Sequence, residues 1–286
     1  MKKILIQLDS DKSASVFDAI TAYDAGTDHV LQYSEVTAAD VRDLVYGAMF
    51  TRGGDNLRNS AVFIGGSDVS RGEEMMKAAV GSFFGPVRVS VMLDANGCNT
   101  TAAAAVRKIA STGEIKGQKV VVLAGTGPVG MRAAGMLALE GAEVTLTSRS
   151  RKGAEKACAL VKDHFGVTIS PAEVGNFEDP KILNDSYAIL CAGAAGIMML
   201  PESVWVEHPT LRVLADVNAV PPLGIEKTKP HWDGKEKDGK VIFGALGIGG
   251  LKMKIHRGCL SRLFKQNDLV LDAEEIYEIA KTMDNK

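Results

Sequence analysis

The sequence predicts an α/β protein of two domains, each a mostly parallel sheet flanked by helices, the second of Rossmann type. Three observations predict it. Apolar β-branched runs alternate with amphipathic runs of helical period along most of the chain. The run Lys119-Val-Val-Val-Leu-Ala leads directly into Gly125-Thr-Gly127-Pro-Val-Gly130, and a helical pattern, Met131 to Glu140, follows. That is the strand–turn–helix context of a dinucleotide fingerprint. The motif opens 125 residues into a chain of 286, so a stretch of domain size precedes it.

The first hundred residues read as strand Ile4–Leu8, helix Ser13–Tyr23, strand Asp28–Tyr33, helix Ala38–Met49, strand Ser60–Ile64, helix Gly72–Gly81 and strand Val87–Leu93. Turn residues then interrupt at Asp94-Ala-Asn-Gly97, and Asn99-Thr-Thr101 can cap a helix over Ala102–Ala110. Ser111–Gly117 is a polar turn before the strand Lys119–Ala124. Further strands are expected at Val144–Thr147, Thr168–Pro171, Ala188–Cys191, Val213–Asp216 and Val241–Phe243, with helices between most of them. Asn218–Gly239 reads as a long, charged, proline-bearing loop, and Asp272–Met283 as a last helix. The expected division is residues 1–98 for a substrate domain, joined by the terminal segment 270–286, and residues 99–269 for the nucleotide domain.

Composition excludes several classes. The net charge is −2 with basic residues dispersed, which leaves no patch for nucleic acid. Cys98, Cys158, Cys191 and Cys259 are far apart, which argues against zinc and against a disulfide framework. The N-terminal apolar run is interrupted by Gln7 and Asp9, so a strand is expected there, not a signal peptide. No apolar run approaches the roughly 20 residues of a membrane span. A cytoplasmic protein without membrane partners is expected.

Each residue of the fingerprint has a task. Gly125 permits the tight turn, Gly127 admits a pyrophosphate to the backbone, and Gly130 lets the helix pack close. Thr126, Pro128 and Val129 complete the loop, and the helix N-terminus offers amides to the phosphates. The competing reading is a glycine-rich turn that binds nothing. The next strand selects the dinucleotide. An NAD site carries Asp or Glu about 20 residues on, but this strand ends in Ser148-Arg149-Ser150-Arg151-Lys152. Hydroxyls and cations there suit a 2′-phosphate, with Ser148, Arg149 and Lys152 as its ligands. One of Arg151 and Lys152 is expected only to solvate the next helix. Two charge-assisted hydrogen bonds would favour NADP over NAD by about two to three orders of magnitude. Ala192, Gly193 and Ala194, after one strand, and Asn218, after another, stand where such sheets bind ligands.

An alcohol dehydrogenase needs a proton acceptor, and none is legible. Tyr277 and Lys281 have Y-x-x-x-K spacing, but on a terminal helix far from the fingerprint. His29, His164, His208, His231 and His256 have no carboxylate at a persuasive spacing. A donor carbon held between two nitrogens needs no base, because their lone pairs stabilise the cation left when hydride departs. The protein then has only to align the reactants and tune the field.

The chain resembles the NADP-dependent methylene-tetrahydromethanopterin dehydrogenases of bacterial one-carbon metabolism. The stretches that carry the resemblance include Ser15–Asp18, Phe50–Gly54, Phe83–Pro86, Met92–Gly97, Val121–Arg132, Asp216–Gly224 and Phe243–Lys252. It implies reversible hydride transfer from a methylene-pterin to NADP, with methylene-tetrahydrofolate as a further substrate. It also implies a homo-oligomer, a trimer, and that Lys252 faces the substrate cleft as the catalytic residue. Asp94, Asn96, Asn99 and Thr100 bracket the junction of the two domains, where a substrate cleft is expected. Asp18, Thr51 and Arg52 are expected to line the same cleft. Turn and cap chemistry is the competing reading for these residues. A shikimate- or quinate-type dehydrogenase, with a lysine–aspartate pair that cannot be placed here, and a non-catalytic NADP-sensing regulator remain alternatives.

Overall fold

The structure, a computed structural model, describes residues 1–174 and 180–283. The expected terminal segment 270–286 therefore ends, at 284–286, outside the described residues. In chain order the elements are β1 (Ile4–Leu8), α1 (Val16–Asp24), β2 (His29–Tyr33), α2 (Ala38–Phe50), β3 (Ser60–Ile64), α3 (Val69–Gly81), β4 (Ser90–Leu93) and α4 (Cys98–Ala110). They continue with β5 (Lys119–Leu123), α5 (Pro128–Leu139), β6 (Glu143–Ser148), α6 (Arg151–Phe165), β7 (Ser170–Glu173) and β8 (Ser186–Cys191). The last are α7 (Glu202–Trp205), β9 (Val213–Asp216), β10 (Asp233–Lys237), β11 (Lys240–Phe243), α8 (Ala245–Arg262), β12 (Val270–Leu271) and α9 (Ala273–Lys281).

The chain divides into two compact units, 1–100 with 253–283, and 101–252. Residues 253–269, expected in the nucleotide domain, thus cluster with the first unit. The physical reason is contact with the first unit. His256 faces Asp94, Asn267 donates to the Pro86 and Arg88 carbonyls, and the Gln266 carbonyl accepts from the Ser90 hydroxyl. β12, a strand not anticipated from sequence, follows and lies parallel to β4.

In the first unit the sheet order is β12-β4-β3-β1-β2, all parallel. β3 and β4 are buried along their whole length. That is why they read as unbroken apolar runs and not as alternating ones. The strand order reverses between β1 and β3, so the carboxyl ends of those two strands flank the switch point.

In the second unit the order is β10-β11-β9-β8-β5-β6-β7. All neighbours are parallel except β10, which runs antiparallel on β11. β7-β6-β5-β8-β9-β11 reproduces the 3-2-1-4-5-6 order of a dinucleotide-binding sheet, with its switch point between β5 and β8. β10 forms inside the segment expected to be a loop. The α4 helix starts at Cys98, so Asn99, Thr100 and Thr101 lie within it and do not cap it.

Among the described residues no helix is long and apolar enough to cross a membrane. All four cysteines are free and buried, and burial pushes the Cys191 thiol up to about 12.

One side of the second sheet is filled by Trp205, fully buried among Leu200, Leu211, Leu214, Ile225 and Ile242. Its indole nitrogen donates to the Glu226 carbonyl at 3.2 Å. Trp205→Ala is expected to lower stability by about 3–5 kcal/mol, read as a fall in the urea midpoint by circular dichroism. A loss below about 1 kcal/mol would show that the site can collapse around the gap.

Candidate active site

The second unit carries the cofactor cradle. After β5 the chain turns through Ala124, held at φ 50° in the left-handed region. Thr147, near the end of β6, secures this turn. Its hydroxyl accepts from the Ala124 amide at 3.0 Å and its carbonyl accepts from the Gly125 amide at 3.0 Å. A Cβ on Gly130 would lie 2.6 Å from the Gly125 Cα, so only glycine lets α5 approach the turn. A Cβ on Gly125 would meet Leu146 and Val122 at 2.8 and 2.9 Å. A Cβ on Gly127 would meet nothing within 4 Å. Its space is open in the protein itself, as expected where a ligand approaches the backbone.

α5 begins with Pro128 after Gly127, and no side chain caps it. Its first amides and positive dipole end are therefore available to an anion. Thr126 is exposed, and Val129 half-buried. These features fit a dinucleotide pyrophosphate.

At the end of β6 the cations separate by role. Arg151 holds Glu155 at 2.8 Å along α6, so it is the residue that solvates the helix start. Arg149 and Lys152 are exposed, and Ser148 is half-buried. Ser150 caps α6 by accepting from the Gly153 amide at 3.2 Å. The β6 end itself thus carries cations and hydroxyls suited to a 2′-phosphate, while Glu173, paired with Ser148 from the end of β7, accepts from the Arg151 amide at 2.8 Å.

Ala192, Gly193 and Ala194 follow β8, and Asn218 follows β9, at the same carboxyl edge. Gly193 packs on Met199, where a Cβ would sit 3.0 Å from Cγ. Asn218 has a local task. Its side chain donates to the Pro222 carbonyl at 3.2 Å and accepts from the Val220 amide at 2.9 Å, closing the turn after β9. Beneath it the buried Asp216 accepts from the Asn218 and Ile225 amides. Burial raises the pKa of its carboxyl. Lys252 is half-buried in the third turn of α8.

The first unit holds a polar cluster at the carboxyl edge of its own sheet. Asp94 follows β4 and is 2% exposed. Its Oδ1 accepts from the Asn99 and Thr100 amides, each at 3.0 Å, and its Oδ2 from the Thr100 hydroxyl at 2.6 Å. Asp94, five residues upstream, is therefore the carboxylate that serves the start of α4. The Asn99 amide group donates to the Leu93 carbonyl at 2.7 Å and to Asp272 at 3.0 Å. Asn99 and Thr100 are fully buried, and Asn96 is exposed in a left-handed turn at φ 52°. Asp18 stands in the first turn of α1. A Cβ on Gly65, after β3, would lie 3.3 Å from its Oδ2.

The cluster includes a residue that sequence reasoning passed over. The ring of His256, on α8, has Nδ1 3.4 Å from Asp94 Oδ2 and Nε2 3.9 Å from Asp18 Oδ1. The expectation that no histidine has a carboxylate partner is corrected here. The partners are 162 and 238 residues away in sequence, so no local spacing could reveal them.

Thr51 and Arg52 are not brought to this cluster. They precede β3, and Arg52 donates to the Asn59 carbonyl at 2.5 Å. They therefore lie at the amino-terminal edge of the sheet, beside the aromatic group Tyr46, Phe50 and Phe84. The strands are parallel, so this edge is opposite the one that carries Asp18. Tyr277 of the Y-x-x-x-K spacing is buried in α9, in the first unit.

Residues 16–96 match the family described as methylene-tetrahydromethanopterin dehydrogenase, N-terminal. Over 285 residues, 99% of both chains, the sequence is 47% identical to the bifunctional protein MdtA of Methylorubrum extorquens. It is 30% identical over 98% of both chains to the NAD(P)-dependent methylenetetrahydromethanopterin dehydrogenase of the same organism. Among solved structures, quinate dehydrogenase from Corynebacterium glutamicum aligns over 99% of this chain and 100% of its own, with a TM-score of 0.54. At 13% identity that likeness concerns the fold alone.

The cradle predicts a contrast between two glycines. Gly130→Ala drives a methyl into backbone and is expected to lower both Tm and dinucleotide affinity. Gly127→Ala meets no atom of the protein, so it is expected to keep Tm while weakening NADP binding about tenfold or more. Calorimetric melts and titrations measure both. Undiminished affinity in Gly127→Ala would remove this loop from the pyrophosphate site.

Proposed function

The chain belongs to the methylene-tetrahydromethanopterin dehydrogenase family, and from that premise we propose that it transfers hydride reversibly from methylene-tetrahydromethanopterin to NADP. The product is the methenyl form, and methylene-tetrahydrofolate is a second substrate. The observation that carries this reading is the uncapped, glycine-walled start of α5 at the switch point of its sheet, with exposed cations following the end of β6.

In this reading Gly125 to Gly130 and the first amides of α5 hold the pyrophosphate. Ser148, Arg149 and Lys152 hold the 2′-phosphate, each cation acting against full or partial negative charge. Ala192, Gly193 and Ala194 give close access to the carboxyl edge, and Asn218 sets the turn beside it. When bound, NADP supplies the hydride acceptor.

The pterin is assigned to the carboxyl edge of the first unit's sheet. Asp18 offers a carboxylate to the N–H groups of the ring, and Asn96 offers its side chain from the exposed turn. Asp94, Asn99 and Thr100 are assigned to building that edge, because their polar atoms are engaged within the protein. Lys252 is assigned to the pterin as a donor that adjusts the field at the reacting carbon. No residue has to remove a proton, because the two nitrogens flanking that carbon share the positive charge as hydride leaves. The protein's contribution is alignment and electrostatics.

The reading places the enzyme in the cytoplasm, which its four free, buried cysteines support. It is a homo-oligomer. Val16, Ile20 and Tyr23 form an exposed apolar stripe on α1, and Leu31 and Tyr33 are exposed on the edge strand β2. Ile20→Asp is expected to lower the molar mass measured by light scattering. An unchanged mass would take α1 out of the interface.

The test of the function is NADP reduction with each pterin supplied side by side. Turnover of neither would end the reading. Arg149→Ala is expected to lower kcat/KM with NADP by about tenfold to a hundredfold, the worth of one charge-assisted hydrogen bond. Values with NAD should stay as they were, and equal losses with both dinucleotides would remove Arg149 from the 2′-phosphate.

A further inference from the structure

We propose that Ile197, Met198 and Val220 form an apolar face against which the nicotinamide half of NADP lies, and that the buried Asp216 holds that face in place. The inference rests on the NADP reading above and extends it to two loops of the second unit. These loops follow β8 and β9, beyond the switch point between β5 and β8. The 2′-phosphate, and with it the adenosine half, is assigned to the end of β6, on the other side of β5. A dinucleotide lies across the switch point, so its nicotinamide half falls at the ends of β8 and β9.

The two loops meet there. Gly196 turns the first of them at φ 74°, and the Ile197 amide donates to the Ala194 carbonyl at 3.3 Å. A Cβ on Gly196 would lie 3.9 Å from Val220 Cγ1 and 3.7 Å from the Pro221 carbonyl oxygen. The turn therefore rests on the second loop. Met199 and Leu200 then return to the core around Trp205. Ile197 and Met198 do not: they are 51% and 41% exposed, and Val220 is 51% exposed. A single exposed apolar side chain carries no message, but three on adjoining loops at a ligand edge make a face.

One carboxylate fixes both loops. Asp216, 2% exposed, accepts from the Asn218 amide at 2.9 Å through Oδ1 and from the Ile225 amide at 3.0 Å through Oδ2. The Gly224 amide also donates to it. The Gly224 carbonyl in turn accepts from the Met199 and Leu200 amides at 2.8 and 2.9 Å. A Cβ on Gly224 would sit 2.8 Å from Asp216 Oδ1, so only glycine lets the loop close on the carboxylate. Asp216 thus ties both ends of the Val220 loop and, through Gly224, the segment that carries Ile197 and Met198. With its oxygens engaged by backbone amides, it is a positioning residue. An apolar face also favours one redox form, because the reduced nicotinamide ring is neutral and the oxidised ring is cationic.

Calorimetric titration of the intact protein with NADPH, NADP and adenosine 2′,5′-bisphosphate, which lacks the nicotinamide half, tests the proposal. Met198→Ser and Val220→Ser alter exposed side chains and are expected to keep Tm. Each should weaken NADPH about fivefold, NADP about twofold, and leave the bisphosphate unchanged. Asp216→Asn keeps the size of the side chain but turns a nitrogen toward a backbone amide. It should weaken NADPH about tenfold and leave the bisphosphate within about twofold. Adding Val220→Ser to Asp216→Asn should cost less than the product of the single effects.

Equal losses for dinucleotides and bisphosphate would overturn the proposal, as would unchanged NADPH affinity in both serine variants. A raised pterin KM with unchanged dinucleotide affinity would give the face to the pterin, and a lower molar mass by light scattering would give it to a second copy of the chain. Failure of Asp216→Asn to fold would make Asp216 a core residue and overturn its positioning role, with the serine variants deciding the face. A parent protein that binds neither dinucleotide would instead fail the NADP reading itself.

Discussion

The buried carboxylate of Asp94 holds together segments that are far apart in the chain. It follows β4, accepts from the first turn of α4, and faces His256 on α8. Asn99, bound to it, reaches Asp272 at the cap of α9. Removing a carboxylate from water costs several kcal/mol, and the hydrogen bonds it gains must offset that loss. Here the partners are two amides, a hydroxyl and an imidazole, all buried. A group so enclosed is poorly placed to touch a substrate and well placed to define where other groups stand. It fixes the start of α4 and the plane of His256 at the carboxyl edge of the first sheet.

The same division of labour recurs in the second unit. Thr147 ties the ends of β5 and β6, Asp216 and Asn218 close the turn after β9, and glycine at 130 brings α5 onto the β5 turn. These buried residues engage their polar atoms within the protein. Thr126, Arg149 and Lys152 stay exposed above them. A reaction that needs no proton acceptor suits this economy. In each unit the carboxyl edge is made rigid by buried residues, and alignment supplies a large share of the catalysis when the donor carbon carries its own stabilising nitrogens.

The fingerprint and its neighbourhood were legible because their logic is local. Strand, glycines and helix are contiguous from Lys119 to Leu139, and Ser148–Lys152 follow at the spacing at which a dinucleotide's ribose is read. Strands such as Ile4–Leu8, Ser60–Ile64 and Val213–Asp216 could be placed to the residue, since β-branched runs bounded by turn residues advertise buried parallel strands. β10 and β12 were not legible. One is a charged edge strand, DGKEK, and the other a two-residue segment, and each exists only because β11 or β4 offers it hydrogen bonds.

The first unit's site shows the limit more sharply. Asp94 drew attention as a carboxylate among turn residues and Asp18 as part of a stretch that carries the family resemblance, yet nothing near His256 in the sequence points to either. Thr51 and Arg52, in a glycine-bearing loop that resembled a binding segment, lie at the opposite edge because they precede a strand and do not follow one. The sequence alone determined the two α/β units, the dinucleotide turn and the bias toward a phosphorylated ribose, because each depends on contacts within about thirty residues, the length of one βαβ unit. Tertiary structure decided which polar residues are enclosed and which face outward, and which carboxylates share a histidine. Those outcomes depend on how distant segments meet along a sheet edge, and residue spacing carries no record of that meeting.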